Sequence, residues 1–201
     1  MRKSQSLFSL ENNLYRQGFR NIAGVDEAGR GPLAGPLVAA AVILPQGTGI
    51  SGLKECKQLT PKQREALYLQ ILDKSISYKV ITFNNSRIDT EGLHKVNLKA
   101  LKAAALELDT QPDFILVDGY KLEDLSIANL RVIKGDMVSA SIAAASVLAK
   151  VHRDRIMFAY HRQYPLYGFD KHKGYGSKHH LEMLSKHGPS PIHRLSFKNF
   201  S

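Results

Sequence analysis

The chain has 201 residues, 43% of them hydrophobic, with 28 Lys and Arg against 18 Asp and Glu, a formal net charge of +10. That length suits one domain with at most a small addition, and the apolar content is enough for a packed core, which excludes a disordered chain. A single cysteine, Cys56, excludes an internal disulfide framework, no apolar run is long enough to span a bilayer, and the opening MRKSQSLFSLENNLYRQG lacks the apolar segment of a secretory signal. The expectation is a soluble, cytoplasmic monomer that makes no use of a membrane.

A basic chain of this size points to a polyanion, most simply nucleic acid; ordinary surface charge without a target is the plainer alternative. Seven of the eight histidines follow residue 150, interspersed with Arg153, Arg155, Arg162, Lys171, Lys173 and Lys178. The basic face is therefore expected towards the C-terminus.

Residues 1–20 are predicted to form an N-terminal helix, with Leu7, Leu10, Leu14 and Tyr15 at helical spacing. Residues 21–27 and 37–44 are apolar runs joined through a Gly/Pro turn and are predicted as strands. Thr60 before Pro61 supplies a cap and a favoured first position for a helix over 61–74. SYKVITF at 77–83 alternates as a strand does. Residues 88–108 are predicted helical, with Val96, Leu101, Ala104 and Leu108 along one face. FILV at 114–117 is wholly apolar, as at the centre of a sheet, and 128–133 is a further strand. A long helix is predicted over 137–162, rich in Ala and Ser through Ala149 and so able to lie close against the sheet. The order implies a mixed α/β sheet with helices on its faces. After Pro165 the pattern changes to YGFDKHKGYGSKHH, a short helix and GPSPIHRLSF. The predicted organisation is a core over 1–163, including an N-terminal helical segment at 1–20, and a small C-terminal lobe over 164–201.

Four acids occupy special places. Asp26 and Glu27 end the first strand, Asp118 ends FILV, and Asp136 is predicted to open the long helix. Ligands of open α/β sheets gather beyond the carboxyl ends of strands. Two carboxylates about 4 Å apart repel by roughly 4 kcal/mol at an effective dielectric near 20, so converging acids call for hard cations such as Mg²⁺ or Mn²⁺, which prefer oxygen ligands and act on phosphodiesters. Each acid also fits an ordinary role. Asp26 and Glu27 suit a solvated loop, Asp118-Gly119 a turn, and Asp136 a helix N-cap. Adjacent strand residues point to opposite faces, so Asp26 and Glu27 can share a site only where the strand ends or bulges. GRGPLAG at 29–35 offers a rival reading as the Gly-rich turn of a dinucleotide fold. Its spacing is wrong for that turn, however, and prolines and a strand-like run follow where a helix should. One cysteine and no H-E-x-x-H argue against a zinc site, leaving the histidines to a basic surface or to local hydrogen bonds.

The segments IAGVDEAGRGPLAGPLVAAAVIL, VDGY at 117–120, KGDMVSASIAAASVLAKVHRDRIM at 134–157, YPLYGFDKHKGYGSKHH and GPSPIHRLSF together resemble the bacterial ribonuclease HII family, the type 2 ribonucleases H. They span about residues 20–198. The resemblance implies a five-stranded ribonuclease H-like mixed sheet flanked by helices, with a C-terminal helical part. It also implies a Mg²⁺- or Mn²⁺-dependent endonuclease cutting RNA in RNA/DNA hybrids and at single ribonucleotides in duplex DNA, on the 5′ side, leaving 3′-hydroxyl and 5′-phosphate ends. By similarity Asp26, Glu27, Asp118 and Asp136 are the catalytic and metal-holding acids. Gly29, Arg30 and Gly31 sense the ribose 2′-hydroxyl through their backbone, and Tyr175 packs against the next sugar. Two departures stand out. Where the family has Asp-Ser-Lys-Lys-Leu, this chain has Glu55-Cys56-Lys57-Gln58-Leu59, so only Lys57 carries over as a phosphate contact. Gly92 also stands where an Asn is usual. A different ribonuclease H-like nuclease acting on all-DNA substrates, and a non-catalytic duplex-binding protein, are the competing readings.

Overall fold

The computed structural model describes residues 7–53 and 59–197. Its centre is a five-stranded sheet made of β1 (Ile22–Ala28), β2 (Leu37–Ile43), β3 (Ser77–Phe83), β4 (Phe114–Asp118) and β5 (Ala128–Val132), in the order β3-β2-β1-β4-β5. β1 runs antiparallel to β2 and parallel to β4, and β4 runs parallel to β5, so the sheet is mixed as expected. The parallel pair β1/β4 brings two strand carboxyl ends side by side, with Val25 opposite Val117.

Side-chain alternation divides the core into two layers. Ala23, Val25, Ile115 and Val117 face α4 (Leu93–Leu106), packing on Val96, Ala100, Leu101 and Ala104. On the other face Val38, Ala40 and Val42 meet α2 (Pro61–Lys74) and the long helix α5 (Ala140–Gln163). The Ala- and Ser-rich first half of α5 lets its backbone approach the sheet closely. A Cβ built on Gly24 of β1 would lie 2.1 Å from the Ser141 carbonyl carbon, so only glycine fits under the crossing helix. A third cluster joins Leu14 and Tyr15 of α1 (Ser9–Arg16) to Ile22, Leu116 and Ile142. Buried Glu11 of α1 accepts hydrogen bonds from Ser139 Oγ (2.7 Å), Ser141 Oγ (2.7 Å) and Ser141 N–H (3.0 Å), and so docks α1 on the N-terminus of α5.

Thr60 and Pro61 start α2 as expected, through a reciprocal capping box with Gln63. Three expectations are corrected. The helix predicted over 88–108 is two helices, α3 (Asn85–Glu91) and α4, because Gly92 has φ +85° and its left-handed backbone breaks the run; Asn84 caps α3. The N-terminal helix covers only Ser9–Arg16 of the described part of 1–20. Asp136 does not open the long helix. It lies in a 3₁₀ turn, Gly135–Met137, and Ser139 is the N-cap of α5, its hydroxyl accepting from Ile142 N–H.

The chain after α5 holds two short helices, α6 (Phe169–His172) and α7 (Lys178–His187). Tyr167, Phe169 and Ile192 close around Met157 of α5 and Ala34 of the loop between β1 and β2. That loop is held to the C-terminal segment by backbone hydrogen bonds: Leu33 N–H to Gly174 O, Gly35 N–H to Ile192 O, and Arg194 N–H to Leu33 O.

Candidate active site

The carboxyl ends of β1 and β4, the loop at 29–31 and the 3₁₀ turn after β5 enclose a cleft of about 750 Å³. It gathers Asp26, Glu27, Asp118 and Asp136 together with Gly29, Arg30, Gly31 and Tyr175. Lys57 lies outside the described residues.

Strand parity explains how adjacent acids share it. Asp26 and Asp118 follow Gly24 and Leu116 on the α5 face, at the ends of neighbouring parallel strands. The Asp26 carboxylate is buried, accepts the Glu27 N–H at 2.7 Å and lies near the Ser146 hydroxyl of α5. Glu27 starts from the opposite face, beside the buried Asn97 of α4, and reaches the cleft because β1 ends one residue later. Asp118 is fixed by the Gly135 N–H, which donates to its Oδ1 at 2.7 Å. A Cβ at Gly135 would press on the Ile142 side chain at 2.5 Å and stand 3.2 Å from Asp118 Oδ1, so a larger residue would have to displace them.

Electrostatically the acids are held against their preference. Burial, then the charges of Glu27 and Asp118, push the Asp26 carboxyl well above the usual carboxylate range. Burial likewise raises Glu27 to about 7; the Arg30 guanidinium, 3.7 Å from Glu27 Oε1, pulls it down and Asp118 pushes it up. Glu27 Oε2 and both polar atoms of the Asn97 amide are buried without a hydrogen-bond partner among the described residues. An orphaned, desolvated carboxylate oxygen among repelling acids fits a hard divalent cation, which prefers oxygen donors. Among the described residues no three His, Cys, Asp or Glu side chains stand close enough together to hold a metal ion as they are placed.

The rim is basic: Arg30, Arg64, Arg131, Lys134 and Lys150 also line the cleft. Arg30 lies 5.2 Å over the Tyr120 ring. Gly31 backs onto Tyr175, whose Cε1 lies 3.4 Å from a Cβ built on that glycine, so the two segments meet in space. The loop leads into β2 rather than a helix, which removes the dinucleotide reading: no helix N-terminus stands there for a pyrophosphate.

The sequence reading missed Ser146, Lys150 and Arg153, although their i, i+4, i+7 spacing marks a polar stripe on an otherwise apolar helix. It also missed Asn97, a lone amide within the apolar face of α4. Two of the tail histidines satisfy local hydrogen bonds. His180 donates from Nδ1 to Tyr175 O at 2.8 Å, its Nε2 pairs with His193 Nε2 at 2.9 Å, and His193 Nδ1 accepts from Ser190 N–H. Burial lowers both, His193 to about 4, and their hydrogen bonds hold the backbone that carries Tyr175.

A family model described as ribonuclease HII matches residues 23–200. The chain belongs to the ribonuclease HII family. Ribonuclease HII of Caldicellulosiruptor bescii is 48% identical over 195 residues, covering 97% of this chain and 95% of that protein. Among solved structures, ribonuclease H2 from Pyrococcus horikoshii OT3 superposes with a TM-score of 0.77 at 28% identity, covering 90% of this chain and 95% of its own. Bst-RNase HIII in complex with Mn²⁺ shares the fold, with a TM-score of 0.68 at 19% identity over 92% of this chain and 70% of that one. The sheet and its flanking helices are thus the ribonuclease H-like fold. As a ribonuclease HII, the protein is a divalent-metal-dependent endonuclease of the type that acts on RNA/DNA substrates.

Proposed function

We propose that this ribonuclease HII, a cytoplasmic monomer, hydrolyses RNA in RNA/DNA hybrids and cuts on the 5′ side of single ribonucleotides embedded in duplex DNA. The products carry 3′-hydroxyl and 5′-phosphate ends, and the role is removal of ribonucleotides from DNA. The observation that carries this reading is the meeting of Gly31 and Tyr175 in the cleft that the four acids line. Gly31 has no side chain to keep its backbone from a ribose, and Tyr175, 49% exposed, offers a ring for the next sugar.

Asp26, Glu27, Asp118 and Asp136 would hold Mg²⁺ or Mn²⁺, which when bound supplies the positive charge that makes a buried carboxylate cluster receptive to a phosphodiester. Burial and mutual repulsion keep Asp26 and Glu27 short of a cation until one arrives. Gly135 holds Asp118 in register with them. The rim residues Arg30, Arg64, Arg131, Lys134 and Lys150 bind the backbone phosphates on either side, and the segment from 164 onward, as a C-terminal lobe, grips the duplex.

The test is cleavage of a labelled DNA duplex carrying one ribonucleotide, beside an all-DNA duplex, with Mg²⁺, Mn²⁺ and EDTA arms and with Asp118→Asn. Cutting on the 5′ side of the ribonucleotide, dependent on metal and lost in the variant, is the expected result. Metal-dependent cutting of the all-DNA duplex would sink the reading, as would salt-sensitive binding without cutting.

A further inference from the structure

Two arginines are buried at the cleft, and Arg153 is among its lining residues. Arg194 is 0% and Arg153 1% exposed, and among the described residues neither forms an ion pair. Both guanidiniums are instead spent on backbone carbonyls of one loop. Arg194 donates from Nη2 to Gly29 O (2.6 Å), Gly35 O (2.9 Å) and Pro36 O (3.1 Å), from Nη1 to Arg30 O (3.1 Å), and from Nε to Gly35 O (3.0 Å). Arg153 donates from Nε to Pro36 O (2.9 Å) and from Nη2 to Ala34 O (3.1 Å). Burying a charge without a counter-ion is costly, and packing alone does not require it.

The consequence follows from peptide geometry. In a planar trans peptide the C=O and the following N–H point in opposite directions. Turning the Gly29 and Arg30 carbonyls inward onto Arg194 therefore turns the amides of Arg30 and Gly31 outward. Gly29, Arg30 and Gly31 line the cleft, and among the described residues their amides have no hydrogen-bond acceptor. Gly29 can join this arrangement only as glycine: its φ is +98°, and a Cβ would lie 2.3 Å from Arg153 Nε.

We propose that Arg194, backed by Arg153, is the positioning residue for ribonucleotide discrimination: its buried charge fixes the Arg30 and Gly31 amides as paired donors to a ribose 2′-oxygen. This rests on the ribonucleotide reading given above. The guanidinium charge also polarises the peptides it binds, which strengthens their N–H groups as donors. Arg194 touches no substrate; it acts through the loop.

The test compares wild type with Arg194→Lys, which keeps the charge but loses the planar fork. Two constants are measured in Mg²⁺: the single-turnover half-saturation concentration for a duplex with one ribonucleotide, and the inhibition constant of an all-DNA competitor. Their ratio is the discrimination. It is expected to fall roughly tenfold or more in Arg194→Lys, while the all-DNA constant stays within about twofold. An unchanged ratio in a folded variant overturns the proposal, as does an equal loss on both duplexes, which marks a merely structural role. If Arg194→Lys does not fold, Arg153→Lys, which disturbs fewer hydrogen bonds, is measured in the same way. Failure of both to fold would assign the pair to stability alone. A wild-type ratio near one would instead refute the ribonucleotide reading itself, separately from the role of Arg194.

Discussion

Replacing Asp118 by asparagine is expected to abolish cutting and yet to stabilise the metal-free protein above neutral pH. Glu27 is raised from 4.5 to about 7, so in the folded protein it holds a proton that the unfolded chain releases between those values. A carboxyl shifted upward weakens the fold as pH rises through that window, and the full shift corresponds to about 3 kcal/mol above it. Burial is its largest cause, so Asp118 accounts for a smaller part, though its charge also acts on Asp26. Asparagine keeps an oxygen for the Gly135 N–H and loses only the charge assistance, about 1 kcal/mol. Because the Asp118 charge acts on both Asp26 and Glu27, its removal should outweigh that loss, and the variant should unfold at a higher temperature than wild type at pH 8. At pH 5, with Glu27 protonated, the gain should vanish. The assay is thermal unfolding of both proteins in EDTA at pH 5 and pH 8, then with Mn²⁺. Wild type should gain stability on adding Mn²⁺ and the variant should not. A variant less stable than wild type at pH 8 in EDTA would refute the argument that these acids repel one another in the absence of a cation.

Glycines of the 29–31 loop should separate by role. Gly31→Ala meets only the edge of the Tyr175 ring at 3.4 Å, so Tm should hold within about 2 °C while ribonucleotide cutting falls roughly tenfold; unfolding and kinetics on one preparation check both. Gly29→Ala meets Arg153 Nε at 2.3 Å and demands a left-handed alanine, so it should lower Tm by roughly 6 °C or more as well as activity. Glu11→Ala removes the acceptor of three hydrogen bonds at the N-terminus of α5 and should cost about 3 kcal/mol in urea unfolding, against about 1 kcal/mol for Glu11→Gln, which keeps an acceptor.

Where the chain's local chemistry decides the outcome, the sequence was readable. FILV, SYKVITF and the Thr60-Pro61 cap became β4, β3 and the start of α2 at nearly the expected residues. The four acids were legible because each lies at the carboxyl end of an apolar strand or beside a glycine in a turn. What escaped was set by tertiary contact. The break at Gly92 is a backbone choice that apolar periodicity does not register, since Val96 and Leu101 keep their face on either reading. Asp136 looked like a cap because the residues that follow it are strongly helical, but Ser139, tied to Glu11 far away in sequence, takes the cap instead. Arg153 and Arg194 read as members of a basic surface. Their burial depends on carbonyls more than 100 residues away, which no local pattern encodes.

The placement of charge answers why a chain of net charge +10 sets two acids side by side. The cleft has three zones. Its floor is acidic and desolvated, its rim is basic and solvated, and behind the 29–36 loop lie two buried guanidiniums. On the function proposed above, the rim attracts a phosphate backbone with an affinity that salt screens. The floor rejects a phosphate unless a cation comes with it. The guanidiniums never meet the backbone; they act on the direction of two amides, whose hydrogen bonds are short-ranged and little affected by salt. On that proposal affinity and discrimination rest on different residues, so losing a rim lysine and losing Arg194 should be physically different lesions even though both remove one positive charge.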